Sequence, residues 1–177
     1  YDLIIVGTGA GGSLAAHEAA ARGNKIAIFE KGDIGGECPN WACVPTKALL
    51  HAGEVYETVK SSSKFGINVS DIEVNYHKVH LWKNFVVSRT GASHGHAAFS
   101  SENIHLIREK ALFVDSHTVK ARDKYFTAPK FLIATGSNVF IPPIPGLSDA
   151  GYITFKEAGD LKKVPEKGFY YHYKHNP

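Results

Sequence analysis

Apolar residues recur along the chain at two different periods. Leu3-Ile4-Ile5-Val6 and Ile26-Ala27-Ile28-Phe29 are unbroken runs rich in β-branched side chains. That pattern belongs to strands covered on both faces, as in a parallel sheet, and predicts strands over 2–6 and 25–29. Between them, residues 11–22 are dominated by alanine and other good helix formers, with Gly23 placed to close the helix in the left-handed conformation. A second helix is expected over 45–60, with Leu49, Leu50, Val55, Tyr56 and Val59 as its apolar positions. A third runs from Val74 to about Ser100 with a break near Gly91. Ile104-His105-Leu106-Ile107 reads as another buried strand, and 130–134 as a return to the same sheet. From Ala111 to Phe126, three short strand-like pieces are separated by turns at Asp115-Ser116 and Arg122-Asp123-Lys124, which is the signature of a small antiparallel meander. Strands alternating with helices make this an α/β chain.

Bulk properties narrow the picture without sharpening it. A length of 177 residues fits one domain, or one with an appendage, and 44% hydrophobic content is ordinary for a globular protein. The net charge of +3 is mild, and basic residues are scattered, which argues against a nucleic-acid partner. No apolar run approaches the roughly 18 residues of a membrane span. The chain starts inside a strand, so no signal peptide is visible, and the expected location is the cytoplasm. It contains no methionine, and its natural start is expected to have been trimmed. Ten histidines invite a metal reading. The candidates are His77 with His80, His94 with His96, and His172 with His175. Their spacings are generic, and solvated surface is the expected role, with no metal site.

The strongest local chemistry follows the first strand. Gly7-Thr8-Gly9-Ala10-Gly11-Gly12 fits G-x-G-x-x-G between a strand and a helix, and Glu30 ends the next strand. The first glycine permits a tight turn, the second lets backbone approach a pyrophosphate, and the third lets helix and strand pack closely. The helix N-terminus then offers free N–H groups to the phosphates, and a carboxylate about 20 residues on can accept from a ribose hydroxyl. This context points to a dinucleotide site.

Cys38 and Cys43 are the only cysteines. They sit in Gly35-Gly36-Glu37-Cys38-Pro39-Asn40-Trp41-Ala42-Cys43-Val44-Pro45-Thr46-Lys47. A disulfide here would close a very small loop, which favours a labile, redox-active bond. Pro45 suits the first turn of a helix, which places Cys43 where the helix dipole favours a thiolate. A structural disulfide and half of a metal site are the competing readings. One pair is no disulfide framework, and no further cysteine exists for a metal, so a redox dithiol is the favoured of the three.

Together the glycine loop and the Gly35–Lys47 segment resemble the flavoprotein disulfide reductases, or pyridine nucleotide–disulfide oxidoreductases. That family includes dihydrolipoamide dehydrogenase, glutathione reductase and mercuric reductase. Ala134-Thr135-Gly136-Ser137 is similar to the family's second FAD-contacting turn, and Ile141–Gly146 to the segment leaving its FAD domain. The resemblance implies a Rossmann-like FAD-binding domain over 1–147, then an exit linker and atypical tail over 148–177. It implies that Gly7, Gly9, Gly12 and Gly36 line the cofactor, that Glu30 holds the adenosine ribose, that Ala111 meets the adenine through its backbone, and that Thr135 and Gly136 line the cofactor. Cys38 would be the interchange thiol, Cys43 the charge-transfer thiolate against the flavin, and Lys47 a tuner of flavin electronics. Electrons would pass between NAD or NADP, FAD and the disulfide, then to a small disulfide or dithiol substrate, in a homodimer of the full-length parent.

Several positions depart from the family pattern. Trp41-Ala42 replaces a commoner Val-Gly, and Glu37 stands where threonine is frequent. No second G-x-G-x-x-G follows, and the NAD(P)H and interface domains have no counterpart. The expectation is therefore a truncated piece, not competent in turnover alone. A nucleotide-binding module without turnover is the alternative, and a third reading, an unrelated FAD oxidoreductase with an incidental cysteine pair, is opposed by the cysteine motif.

Overall fold

In the computed structural model, residues 1–90 and 98–168 are described. Four strands form a parallel sheet: β1 (Leu3–Val6), β2 (Ile26–Phe29), β3 (Ile104–Ile107) and β7 (Phe131–Ile133), in the spatial order β3-β2-β1-β7. Strands β4 (Leu112–Asp115), β5 (Thr118–Ala121) and β6 (Lys124–Thr127) form a separate antiparallel sheet in sequence order. The helices are α1 (Ala10–Ala21), α2 (Glu37–Asn40), α3 (Cys43–Lys60), α4 (Tyr76–Thr90), α5 (Leu147–Ala150) and α6 (Phe155–Ala158), with a 3-10 turn at Ser62–Phe65.

The unbroken apolar runs are explained by what covers each face. Ile5, Ile26, Ile28 and Ile104 point to one side and pack with Ala16 of α1, Ile34 and Phe99. Ile4, Ala27 and Phe29 point to the other and pack with Val119, Ala121 and Ala128 of the meander. β1 and β2 thus alternate between two cores, one under α1 and one under the antiparallel sheet, and both of their faces are covered. Phe126 stands edge-on to Phe29 at 5.1 Å between ring centroids, and Phe113 meets Phe131 at the same distance. This is a Rossmann-like α/β architecture of three layers.

Differences from the sequence reading are local. Helix α3 starts at Cys43, two residues before the expected 45, because Pro45 falls in the first turn, where a missing N–H removes no helical bond. Helix α4 starts at Tyr76 because Asn75 accepts the N–H of Lys78 at 3.1 Å and caps it. The expected break near Gly91 lies outside the described residues. The first meander turn is Ser116-His117, where Asp115 accepts the N–H of His117 at 2.7 Å. The second, Arg122-Asp123, holds Arg122 at φ 50°. Residues 148–168, expected as linker, return to α4 through Asp160. The end of the expected tail, 169–177, lies outside the described residues.

Candidate functional site

Strand order locates the site before any side chain does. From β1 the chain winds outward through β2 to β3, then returns to the opposite side of β1 as β7. The direction of winding therefore reverses at the carboxyl end of β1, and open α/β sheets bind ligands in the crevice beyond such a point. Gly7 stands there. Its N–H donates to Phe29 O at 2.8 Å, and Ala134 N–H donates to Val6 O at 2.8 Å. A cavity of about 510 Å³ lies at the other end of the strands, beside Asp2, Leu3 and Arg22. Topology and the glycine loop outweigh its size.

The three motif glycines do different things. Gly7 has φ +106°, and a Cβ there would lie 2.2 Å from Ala134 O. A Cβ on Gly12 would lie 1.9 Å from Gly7 O. Both are demanded by the chain's own close approaches. Gly9 is different: it caps α1 at φ −62°, no side chain caps it, and a Cβ there would meet nothing within 4 Å. Ala10 and Gly11 beyond it are exposed, and no acidic residue occupies the first turn. Free N–H groups and the dipole of a 12-residue helix face open space, which fits a phosphate group.

Other expected residues gather on this loop. A Cβ on Gly36 would lie 2.9 Å from Gly9 Cα, and one on Gly7 would lie 3.3 Å from Thr135 Cα. Gly136 follows at φ +69° in open space. Ala111 is placed differently: its side chain packs against the core on the meander face, which leaves its main chain for a ligand.

Glu30 is built into the loop through a residue the motif treats as arbitrary. Thr8 is fully buried. Its N–H and hydroxyl donate to Glu30 Oε2 at 3.0 and 2.7 Å, and its Oγ1 accepts from Gly35 N–H at 3.1 Å. Glu30 Oε1 accepts from Gly32 N–H at 2.8 Å. Burial pushes the Glu30 carboxyl up, but the Gly32 and Thr8 donors and the charge of Arg108 together hold it below its ordinary value. Three donors are spread over two oxygens, so Oε1 retains acceptor capacity for a hydroxyl. Sequence reasoning missed Thr8, whose only signal was a β-branched hydroxyl between two glycines.

The cysteines flank a short turn. Cys38 lies in α2 and Cys43 opens α3; both are free, exposed thiols in this structure. A hydrogen bond to Cys43 is the main cause holding the Cys38 thiol above its ordinary value, with burial and the Cys43 charge adding to it and Lys47 opposing. Cys43 stands at the N-terminus of an 18-residue helix, the end where the helix dipole is positive. Lys47 lies one turn along α3 and is exposed with Cys43, Thr46 and Leu50 on one stripe.

Behind the turn lies a polar cluster with no sequence signature. Asp160 Oδ1 accepts from His80 at 2.8 Å and Lys83 at 2.9 Å, and Oδ2 accepts from Lys162 at 3.1 Å. His80 and Lys83 are each 5% exposed. His80 is therefore no solvated surface histidine, as its spacing had suggested; its ring is buried to hold a carboxylate. His77 is exposed, and His94, His96, His172 and His175 lie outside the described residues. Among the described residues, no group of three or more His, Cys, Asp or Glu side chains could hold a metal ion. No helix among them is long and apolar enough to cross a membrane.

Comparison with known proteins finds relatives over nearly the whole chain. Over 167 residues the chain is 36% identical to a mercuric reductase of Bacillus cereus, covering 94% of this chain and 26% of that protein. Over 171 residues it is 35% identical to a dihydrolipoyl dehydrogenase of Bacillus subtilis (strain 168), covering 94% and 36%. A solved structure of RclA, an HOCl-induced flavoprotein disulfide reductase of Escherichia coli, superposes with a TM-score of 0.77 at 25% identity, covering 93% of this chain and 35% of that one. The chain thus spans between about a quarter and about a third of the length of these relatives. The model of the pyridine nucleotide-disulphide oxidoreductases matches residues 1–168, and the chain belongs to that family.

Proposed function

We propose that these residues form the FAD-binding and redox-dithiol part of an NAD(P)H-dependent disulfide oxidoreductase. The observation that carries this reading is the contact of Gly36 with Gly9: the segment bearing Cys38 lies directly on the loop that fits a pyrophosphate. A nucleotide anchored at α1 and a dithiol at α3 are therefore neighbours. FAD, when bound, supplies a two-electron relay between a nicotinamide and the cysteine pair.

The chain's own residues do the rest. Gly9 leaves room for the phosphates, and the free N–H groups of α1 hold them. Glu30 Oε1 accepts from a ribose hydroxyl, and Gly36, Thr135 and Gly136 line the path, with Ala111 contributing its main chain. Cys38, exposed at the turn, faces a small disulfide or dithiol substrate. Cys43 stands at the helix N-terminus with Lys47 one turn along the same helix. Two electrons entering the Cys38–Cys43 disulfide break its S–S bond and, with two protons, give two thiols. Attack of the Cys38 sulfur on a substrate disulfide then breaks its S–S bond, releases one substrate thiol and leaves a mixed disulfide; attack of Cys43 on the Cys38 sulfur re-forms the protein disulfide and releases the second substrate thiol, the two protons of the dithiol leaving with the two substrate thiols. The nicotinamide site, NAD or NADP specificity, an acid–base pair and a homodimer belong in this reading to the full-length protein.

A binding module without turnover is the second reading, favoured by the single glycine loop in these 177 residues. The test is titration of the purified chain with FAD, followed by flavin fluorescence, with thiol counting before and after reduction. Saturable binding abolished by Gly9→Val, and two thiols gained on reduction of oxidised protein, are the expected results. Binding unchanged in Gly9→Val overturns the placement of the nucleotide. Two free thiols persisting in fully oxidised native protein leave only the binding module.

A further inference from the structure

The turn between the cysteines is weakly held from within. Helix α2 has four residues, and neither it nor α3 has a side-chain N-cap. Trp41 and Ala42 N–H groups share one acceptor, Glu37 O, at 2.9 and 3.0 Å. Asn40 adds donors to Ile34 O and Gly36 O at 3.0 and 2.7 Å.

A segment distant in sequence also reaches the turn. The Lys156 ammonium stands over the Trp41 ring, 4.1 Å from its centroid. A Cβ on Gly159 would lie 3.8 Å from Trp41 O, so this backbone is in contact too. The segment is fastened at its far end by the bonds of Asp160 to buried Lys83 and His80. Under the turn is a cavity of about 290 Å³, walled by Trp41, Pro45, Lys83, Asn84, Lys156 and Asp160. Space beneath the turn means that packing alone does not fix its height.

We propose that Lys156 is a positioning residue for the dithiol: stacked on Trp41 and anchored through Asp160, it clamps the Cys38–Cys43 turn and sets how favourably the two sulfurs bond. The inference rests on the redox reading above. Disulfide formation within a chain depends on the effective concentration of one thiol at the other, which falls when the connecting turn loosens. Releasing the clamp makes the disulfide easier to reduce. The exchange is balanced: the protein dithiol plus glutathione disulfide gives the protein disulfide plus two glutathione thiols.

The experiment is equilibration of the native chain in glutathione buffers of graded ratio, with the oxidised fraction read after acid quenching and alkylation. Lys156 is exposed and carries no ion pair among the described residues, so Lys156→Ala leaves no buried charge unpaired. Its equilibrium constant is expected to fall about tenfold, roughly 30 mV for a two-electron couple. Trp41→Leu, which keeps the cation but removes the ring, should fall equally, and the double substitution no further. Lys156→Arg should restore the wild-type value, because a guanidinium also stacks on indole. A wild-type disulfide whose constant is unchanged in Lys156→Ala, even if the unfolding midpoint moves, overturns the positioning role alone. A shift in Lys156→Ala that Trp41→Leu does not share shows a bare charge effect and overturns it as well. Failure of the wild-type pair to bond at any buffer ratio overturns both this inference and the redox reading.

Discussion

Replacing Gly12 by alanine should unfold the loop's architecture, whereas replacing Gly9 should leave the fold intact. The added methyl at position 12 would lie 1.9 Å from Gly7 O, 3.0 Å from Gly7 C and 3.3 Å from Ile5 Cγ2. The first two atoms are backbone, fixed by the bond of Gly7 N–H to Phe29 O at 2.8 Å. Relief requires α1 to move away from β1, opening the core formed by Ile5 and Ala16. Overpacking alone costs about 1–3 kcal/mol, and the loss of helix–strand contact brings the expected total to roughly 3–4 kcal/mol. At position 9 the methyl meets nothing within 4 Å and φ is −62°, so the penalty is that of a poorer N-cap, about 0.5–1 kcal/mol. Urea denaturation of both variants, read by far-UV circular dichroism, separates them. With a slope of roughly 2 kcal/mol per molar, Gly12→Ala should lower the midpoint by about 1.5–2 M and Gly9→Ala by no more than about 0.5 M. Equal shifts in the two variants, or an unmoved midpoint in Gly12→Ala, would refute the division between a glycine required by packing and one kept for a ligand.

Three further outcomes can be checked with the same preparation. Lys83, His80 and Lys162 hold the Asp160 carboxyl well below the usual carboxylate range, against the opposing effect of burial. A depressed folded-state value gives stability that is complete above about pH 4 and declines as pH falls below it. The gap in urea midpoint between wild type and Asp160→Asn should therefore narrow between pH 4 and pH 3; a gap that widens on acidification contradicts the assignment. Glu30→Ala removes the acceptor of Thr8 and Gly32 N–H groups and should destabilise by about 1–3 kcal/mol by denaturant titration; no loss would mean that water replaces the carboxylate at no cost. Gly36→Ala places a methyl 2.9 Å from Gly9 Cα at φ +69° and should weaken FAD binding in a fluorescence titration more than Gly35→Ala, whose methyl meets the Pro39 ring; the reverse order would separate the dithiol segment from the loop.

What the sequence revealed depended on whether the cause was local. The buried strands were legible because both faces of β1 and β2 are covered, so Leu3–Val6 and Ile26–Phe29 could only be apolar. Gly7 and Gly12 were legible because backbone crowding admits one residue type at each. The first meander turn was read one residue early, at Asp115-Ser116, because Asp115 ends its strand and accepts the N–H of His117; the second was legible although Arg122 takes a left-handed conformation without the glycine or asparagine that normally announces one. The bonds of Asp160 were invisible: they join residues 80 and 77 positions apart, and a lone histidine, lysine and aspartate carry no periodicity. Thr8 was overlooked because its partner Glu30 had already been given to a ligand, although the same carboxylate serves the protein's own loop.

The order of strands in the parallel sheet also sets a schedule. β1 is made before the other three strands of this sheet, and it lies between β2 and β7, with Ile4 paired to both Ala27 and Phe131. Of these four strands, the one made first is therefore completed by the one made last. Until β7 emerges, one side of Leu-Ile-Ile-Val stands without hydrogen-bond partners, and the meander that covers Ile4 has only just formed. Such long-range pairing slows folding and prolongs the exposure of an adhesive edge. The crevice at the end of β1 comes into being with that final pairing, since Ala134 and Thr135 form its far wall. A nascent chain can thus form α1 early, but the crevice beyond β1 is complete only after β7 has been translated.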